Sequence, residues 1–173
     1  MESHKQLAEK REELLEFFEV TDLLNEIFDS AIIGYVERAG GARFVLYDEE
    51  KFFEWFGAEP LPQKKLILFL TKASRSEIGD THLIATGFDG AIIGYAKMHE
   101  GESIVIYDSE KCIKILSDDS EESIRLENKD MTEEELQDEI YSSASDCFYF
   151  NTIDAYVGEK TPGFATILKE DFC

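Results

Sequence analysis

The sequence predicts an α+β protein in which two repeated units, each a β-hairpin followed by a helix, share a mostly antiparallel sheet with helices packed on it. The pentapeptide Ala-Ile-Ile-Gly-Tyr occurs at residues 31–35 and again at residues 91–95. Residues 28–57 and 88–117, aligned without a gap, are identical at 13 of 30 positions, which chance does not produce. Such internal similarity is typical of one supersecondary unit used twice.

The repeat divides the chain into two parts. Residues 1–80 contain N-terminal helices and the first unit, whereas residues 81–173 contain a second, fuller unit with an acidic insert. Because each unit is too small to bury both of its faces alone, we expect the two parts to form one compact pseudo-symmetric domain.

Two helices are predicted before the first copy. Residues 5–18 form the first, and Thr21 or Asp22 caps a second short helix that ends near Asp29. The apolar residues of the first helix that we expect to be buried are Leu7, Leu14, Leu15, Phe17 and Phe18.

The first copy is predicted to contain strands at 31–37 and 43–47, joined by a turn at Gly40-Gly41. Asp48 follows as a helix N-cap, and the helix over 49–56 ends at Gly57. In the second copy the same reasoning gives strands at 91–98 and 103–107, a turn near Glu100-Gly101, a cap at 108 or 109, and a helix that ends near 116.

Glycine inside a strand weakens it, so Gly34 and Gly94 indicate a bulge or the close approach of another backbone. The first strand of each copy is apolar on both faces, which suits a strand covered on both sides. We expect Ile33 and Ile93 on these strands, and Val45 and Val105 on the second strands, to be nearly fully buried. Tyr35, Tyr95, Tyr47 and Tyr107 are expected to pack in or beside the core.

The remaining segments carry weaker signals. Pro60 and Pro62 mark a linker, residues 66–70 form an apolar strand, and residues 74–80 form a polar turn. Residues 117–129 are interpreted as an acidic loop. The capping box at 132–135 begins a helix with the buried stripe Leu136, Ile140, Ala144 and Cys147/Phe148. Short strands at 155–158 and 164–168, joined by a turn at 159–163, close the chain.

The chain is strongly acidic. It holds 38 Asp and Glu against 17 Lys and Arg, a formal net charge of −21. Residues 117–139 alone contain 11 acids and 2 bases, a net of −9. Such a surface repels nucleic acid and attracts basic protein surfaces or cations, although solubility is an alternative reason for the acidity.

No transmembrane helix is predicted, because no apolar run approaches 18 residues. The polar N-terminus is unlike a secretory signal. Three widely spaced cysteines, Cys112, Cys147 and Cys173, fit a reducing cytoplasm.

Candidate chemistry is sparse. His4, His82 and His99 lack zinc-ligand spacing, the acidic run lacks the EF-hand pattern, and no glycine-rich phosphate loop occurs. Cys112 aligns with Phe52, and a position that takes either residue is a core position. We therefore expect no metal, no cofactor and no enzymatic activity.

Asp48 and Asp108 occupy matching positions. They are interpreted either as two carboxylates related by pseudo-symmetry or, preferably, as helix caps required by the strand-to-helix turn.

Several segments of the C-terminal half follow one recurrent pattern: Ala-Ile-Ile-Gly-Tyr-Ala at 91–96, Val-Ile-Tyr-Asp at 105–108 followed by Lys111 and Ile113, Asp-Met-Thr-Glu-Glu-Glu at 130–135, Asn151, and Ala-Tyr-Val-Gly-Glu-Lys-Thr-Pro at 155–162. In the order and spacing of these segments the chain resembles a group of small, mostly uncharacterised bacteriophage and prophage proteins. This chain differs in its acidic insert at 117–129, in Asp154 where the group usually has Gly, and in its partial extra copy. The resemblance implies a viral or prophage origin and a bacterial cytoplasm.

These observations predict an acidic protein–protein interaction module. Its expected partner is a basic host protein, such as a nucleic-acid-binding or defence protein whose DNA-binding surface an acidic chain can occupy. The predicted partner-binding residues are Asp118, Asp119, Glu121, Glu122, Glu133, Glu134 and Asp138.

A small-molecule or nucleotide site in a pocket between the two units is the alternative. It would be formed by Tyr95, Asp108, Gly158, Glu159 and Thr161.

Overall fold

In the part of the chain that the structure describes, four α-helices and six strands make up a mixed α/β fold, as the sequence predicted at the level of class. The structure is a computed structural model that describes residues 4–56, 62, 65–98, 101–155 and 157–168. The helices are α1 (His4–Leu14), α2 (Glu49–Phe56), α3 (Ser109–Glu127) and α4 (Glu133–Phe148). The strands are β1 (Ile32–Arg38), β2 (Ala42–Asp48), β3 (Ile67–Lys72), β4 (Ile92–Lys97), β5 (Ser103–Asp108) and β6 (Gly163–Ile167).

The sheet that we expected the two units to share is a closed barrel of six strands, and this closure was not predicted. The hairpins β1–β2 and β4–β5 are antiparallel, whereas β2–β3 and β5–β6 are parallel. Strand β3 also pairs antiparallel with β4, and β6 with β1. Because β3 and β6 each pair with both halves of the chain, no edge is left to expose unpaired backbone groups.

The two hairpins have the same register. Ile32 lies opposite Tyr47 and Ile92 lies opposite Tyr107, and in both hairpins the register shifts just before the glycine. The helices that follow differ in length, since α2 has 8 residues and α3 has 19. Superposition of residues 28–57 on residues 88–117 stays a prediction.

The interpretation of the strand glycines is confirmed in both respects. Each lies at a bulge, and each lies against a backbone of the other half. A Cβ on Gly34 would collide with the carbonyl oxygen of Thr166 on β6, and a Cβ on Gly94 with that of Thr71 on β3. Glycine is therefore required where the two halves join to close the barrel.

Three apolar clusters form the core. Among the described residues, one cluster fills the barrel interior and the other two lie outside it, one against β2 and one against β5. The interior cluster comprises Ile33, Val36, Leu46, Leu68, Leu70, Ala96, Ile104, Ile106 and Ala165. In the outer clusters, α1 and α2 cover Val45 and Tyr47 of β2, whereas α3 and α4 cover Val105 and Tyr107 of β5.

Local signals for caps and core tyrosines are confirmed. Asp48 Oδ1 accepts from the backbone N–H of Lys51 at 3.1 Å, and Asp108 Oδ1 accepts from that of Lys111 at 3.2 Å. Tyr47 and Tyr107 are fully buried, and their hydroxyl oxygens accept from backbone N–H groups at 3.1 and 2.9 Å. Burial raises the pKa of Tyr47 to about 12.

Burial was predicted wrongly on α1 and β4. The first helix ends at Leu14, so Leu15 and Phe17 lie on turns and are exposed. Ile93 is only partly buried, whereas Ile33 is 3% exposed. The turn over Glu26–Ala31 is a 3₁₀ helix rather than an α-helix.

Two element assignments near the C-terminus are also corrected. Residues 117–129 are not a loop, because α3 continues through them to Glu127. Residues 155, 157 and 158 are not a strand; they follow a π-helical turn over Tyr149–Ile153. The predicted helix end at Gly57, the linker residue Pro60 and the turn residue Glu100 lie outside the described residues.

Candidate functional site

The predicted partner-binding carboxylates all lie on the α3–α4 helical hairpin. Beyond Leu116 no residue of α3 is buried, so the distal half of this helix is covered on one side only, by α4. We call the seven carboxylates the acidic face. They are Asp118, Asp119, Glu121 and Glu122 on α3, and Glu133, Glu134 and Asp138 on α4.

Caps and charges explain why this acidic sequence is helical. Asp108 begins α3, and α3 is continued by i,i+4 ion pairs between Lys114 and Asp118 and between Glu121 and Arg125. Thr132 begins α4 with the predicted capping box, in which its hydroxyl oxygen accepts from the N–H of Glu135 at 3.3 Å. Acidic residues in the first turn of α4 also interact favourably with the helix dipole.

Arg125 is the side chain that joins the two helices electrostatically. Its guanidinium donates to Glu121 at 2.7 Å and to both carboxylate oxygens of Glu133 at 2.9 and 2.6 Å. These hydrogen bonds lower the pKa of Glu133 to about 2. This pairing of Arg125 with both helices was not predicted, although the i,i+4 spacing of Glu121 and Arg125 indicates the half of it that lies within α3.

Four carboxylates of the acidic face have no ion-pair partner among the described residues. Within the part of the chain that the structure describes, Asp119, Glu122, Glu134 and Asp138 form no ion pair and are exposed. A shallow groove of about 360 Å³ runs along α3 and is lined by Asp118, Glu121, Glu122, Arg125 and Leu126. Leu126, 61% exposed, gives this charged surface an apolar edge.

The residues of the alternative ligand site are only partly brought together. Thr161 is buried and closes the turn at 157–161, because its hydroxyl accepts from the N–H of Val157 at 3.0 Å and donates to the carbonyl oxygen of Gly158 at 2.6 Å. Arg38 of β1 donates to the carbonyl oxygens of Glu159 and Thr161 at 2.8 and 3.0 Å. The turn is therefore fixed to the barrel.

Beside this turn lies an open groove of about 510 Å³. Its lining residues are Asp80, Thr81, His82, Leu83, Glu102, Val157, Glu159 and Lys160. Tyr95 contacts the groove through the ring of His82, whose centroid is 5.7 Å from that of the tyrosine.

Asp108 does not line this groove. It lies at the opposite end of β5 from Glu102, six residues along an extended strand, or roughly 20 Å. The Asp108 carboxylate instead caps α3 and pairs with Lys111 at 3.6 Å. Of the five predicted residues, only Glu159 lines the groove. Gly158 and Thr161 belong to the adjoining turn, Tyr95 contacts the lining residue His82, and Asp108 lies away from the groove.

The geometry does not favour nucleophilic chemistry at Cys112 or a metal site among the described residues. Cys112 is fully buried, as its alignment with Phe52 predicted, and burial raises the pKa of its thiol to about 12. A thiol with so high a pKa is not a nucleophile at neutral pH. Among the described residues, no three His, Cys, Asp or Glu side chains are placed to share a metal ion.

Comparison of the chain with protein-family models, with curated proteins and with solved structures yields no match. None of the described helices combines the length and the apolar character that crossing a bilayer requires.

Proposed function

We propose that this protein is an acidic interaction module whose α3–α4 hairpin binds a basic protein partner. In a phage or prophage setting, the partner class that fits is a host nucleic-acid-binding or defence protein, whose positive DNA-binding surface the acidic face would occupy in the bacterial cytoplasm. Complementary potentials of this kind speed association and exclude partners of the wrong charge.

One observation carries the proposal. The acidic face lies on two capped helices rather than on a loop, so the spacing of its carboxylates is fixed before binding. A preformed surface loses less conformational entropy when it binds than a flexible loop does. Arg125 neutralises carboxylates on both helices, but four of the seven keep a full charge toward solvent.

The test uses partners captured from a bacterial lysate on the immobilised full chain, each then purified. The hairpin variant changes Asp119, Glu122, Glu134 and Asp138 to Lys. We expect its association rate with a captured basic partner to fall at least about tenfold at low salt, with little change in folding, since exposed charges contribute small terms to stability. Double-stranded DNA should compete with the wild-type chain for that partner.

The matched control reverses four exposed acids of the first half: Glu12, Glu13, Glu16 and Glu54. It changes the net charge by the same amount at a different place. Equal decreases in association rate for the two variants would show that only the net charge matters. Association rates equal to that of the wild-type chain for both variants would indicate that the acidity serves solubility.

The groove at 157–161 supports the alternative, a small-molecule or nucleotide binder. Three carboxylates and one ammonium line it, and Lys160 already contacts Glu102 at 3.3 Å. That charge balance favours a cationic or neutral ligand over a nucleotide phosphate. A shift in melting temperature with a panel of amines, metabolites and nucleotides tests this alternative.

We also propose that residues 28–57 and 88–117 are structural duplicates related by a pseudo-two-fold axis through the barrel. Their matching register and the paired roles of Gly34 and Gly94 support this relation.

A further inference from the structure

The groove on α3 has the shape of a helix-packing groove. Among the described residues its lining comes from α3 alone, in two rows: Asp118, Glu122 and Leu126 in one, and Glu121 and Arg125 in the other. Neighbours within a row are four residues apart, so they share one face and lie about 6 Å from each other along the helix axis. Rows of this spacing are the ridges of a helix surface, and the space between two ridges is where a ridge of a second helix packs. We call this feature the α3 groove.

The α3 groove is left open by α4. The ridge that contains Arg125 faces α4, because the guanidinium of Arg125 pairs with Glu133 of α4 at 2.6 Å. The other ridge faces solvent, since the side chain of Asp118 is 63% exposed and Leu126 is 61% exposed. The packing surface between the ridges is therefore accessible to a partner.

The charges along the α3 groove complement a basic occupant. Three carboxylates and one guanidinium line it, and the guanidinium of Arg125 is already paired with carboxylates of both helices. Glu122 has no ion-pair partner among the described residues. Asp118 pairs with Lys114 at 3.4 Å, but both side chains are exposed, and such a pair is weak. Basic side chains of a partner can therefore pair with both carboxylates of the exposed ridge.

Leu126 adds an apolar position at one end of the exposed ridge. Along α3 this ridge is acidic at 118, acidic at 122 and apolar at 126. A second helix repeats its side chains with the same spacing of four residues. A row of two basic residues and one apolar residue on that helix therefore matches the exposed ridge position by position.

We propose that the α3 groove receives a basic amphipathic helix of the partner, which places a row of two Lys or Arg residues and one apolar residue between the two ridges. This inference rests on the proposed function and deepens it, because it names the kind of segment that the acidic face contacts. The recognition helix of a DNA-binding protein is an exposed helix, and DNA-binding surfaces contact phosphates through Lys and Arg. A helix of this class therefore suits both the groove and the proposed partner.

The test uses the full chain and synthetic peptides of about 18 residues, long enough to form a helix. The row peptide carries two Lys and one Leu in a row with a spacing of four residues, and it is made in both orders because a helix can dock in either direction. The scrambled peptide has the same composition without the row. We expect one of the row peptides to bind about tenfold more tightly than the scrambled peptide in fluorescence anisotropy titrations, because only the row brings its Leu onto Leu126.

Leu126→Ala tests the same contact from the side of the protein. It keeps every charge and introduces a good helix former, so we expect it to weaken binding of the row peptide about fivefold and to leave the scrambled peptide unaffected. Ile27→Ala is the matched control, because Ile27 is 62% exposed but lies on the first half, and it should change neither affinity. In NMR spectra the row peptide should shift the methyl signals of Leu126 and leave those of Ile27 unchanged.

Three results would overturn the docking proposal. The first is equal affinity for the row and scrambled peptides, with no effect of Leu126→Ala. The second is equal binding of a peptide of the same length and charge in which prolines prevent a helix, since the occupant would then be an extended segment. The third is a dimer of the chain that Leu126→Ala dissociates in analytical ultracentrifugation, since the occupant would then be a second copy.

The failure of this proposal and the failure of the proposed function give different results. If any of those three results occurs while the hairpin variant still associates slowly with a captured basic partner, the helix docking is wrong and the proposed function stands. If the row peptide is preferred and Leu126→Ala removes the preference, but the hairpin variant associates with the captured partner at the wild-type rate, the groove binds basic helices and the proposed function is wrong.

Discussion

The two halves of the barrel share their backbone plan but fill the outer layer differently. In the first half, Phe52 of α2 lies at the centre of a group of rings, 4.7 Å from Phe28 and 4.9 Å from Phe69 of β3. In the second half, Cys112 occupies the aligned position, and the strand ring Phe164 packs instead against Phe148 of α4.

The difference lies in which helix supplies the ring that covers the strand phenylalanine. Tyr47 lies opposite Phe69 between β2 and β3, just as Tyr107 lies opposite Phe164 between β5 and β6, so both strand rings need a covering side chain. The first half supplies that side chain from its own short helix. The second half has a small residue there, which leaves room for a ring from an additional helix.

Two ion pairs at matching positions in the two halves differ in burial. Before each copy an arginine pairs with the second residue of the copy, Arg11 with Asp29 at 2.6 Å and Arg75 with Asp89 at 3.2 Å. The first pair is buried, with side chains 13% and 8% exposed, whereas the second is 46% and 62% exposed. The first ion pair is therefore shielded from solvent, whereas solvent and salt screen the second.

The largest effect is expected where the two halves meet. Gly34→Ala and Gly94→Ala each place a methyl group against a backbone carbonyl of the opposite half, and we expect each to lose at least about 3 kcal/mol of unfolding free energy. Gly79→Ala is the control, since a Cβ there meets nothing within 4 Å. Chemical denaturation measures all three, and a loss for either variant no larger than that of Gly79→Ala would contradict the close approach of the two halves at these glycines.

The next largest effect is expected for Arg11 and Arg75, whose replacement should cost different amounts of unfolding free energy. We expect Arg11→Ala to lose about 3–5 kcal/mol, because it leaves a buried carboxylate uncompensated, and Arg75→Ala to lose less than about 1 kcal/mol. Urea titrations at neutral pH make the comparison. Similar losses for both would show that burial does not distinguish the pairs.

The Arg11→Ala loss should also depend on pH. Burial raises the pKa of Asp29, partly opposed by the hydrogen bond and the charge of Arg11. A carboxyl group with a raised folded-state pKa contributes its stability at low pH and loses it as pH rises through that pKa. Removal of Arg11 raises the pKa further, so the difference between variant and wild type should shrink as pH falls below neutral.

Exchange of the divergent core residue should have a smaller effect. Cys112→Phe gives the second half the residue of the first, but Phe148 already covers Phe164, so we expect overpacking and a loss of about 1–3 kcal/mol. Thermal denaturation and the near-ultraviolet circular dichroism of the aromatic core provide the measurement. A stabilised variant would show that the additional ring does not replace that of Phe52.

The smallest effect concerns reactivity rather than stability. Burial raises the pKa of Cys112 to about 12, so its thiolate fraction at neutral pH is small and its side chain is covered. Iodoacetamide should label the exposed Cys147 of the native chain and leave Cys112 unlabelled until denaturant is added. Mass spectrometry of the digested protein reads both sites, and rapid native labelling of Cys112 would mean that the second half opens locally.

The sequence by itself determined the features that local chemistry controls. The repeat, the hairpins and the caps Asp48, Asp108 and Thr132 follow from side chains that interact with backbone within a few residues. Gly34 and Gly94 indicated a bulge or a close approach of backbones, because glycine weakens a strand and is seldom found there without such a requirement. The acidic bias was visible as a count of charges, whatever its role in binding.

Only the tertiary structure showed that the barrel closes, that the acidic segment is helical, and which aromatic side chains are exposed. The barrel closes because β6 pairs with β1 from the far end of the chain, and no local pattern encodes such a partner. The Asp108 cap and the i,i+4 ion pairs favour a helix over residues 117–127, and packing against α4 with the Arg125–Glu133 pair adds a contribution that the sequence does not show. Phe148 and Phe150 are the same residue two positions apart, but one is buried against β6 and the other is 81% exposed, because burial depends on what lies opposite each side chain in space.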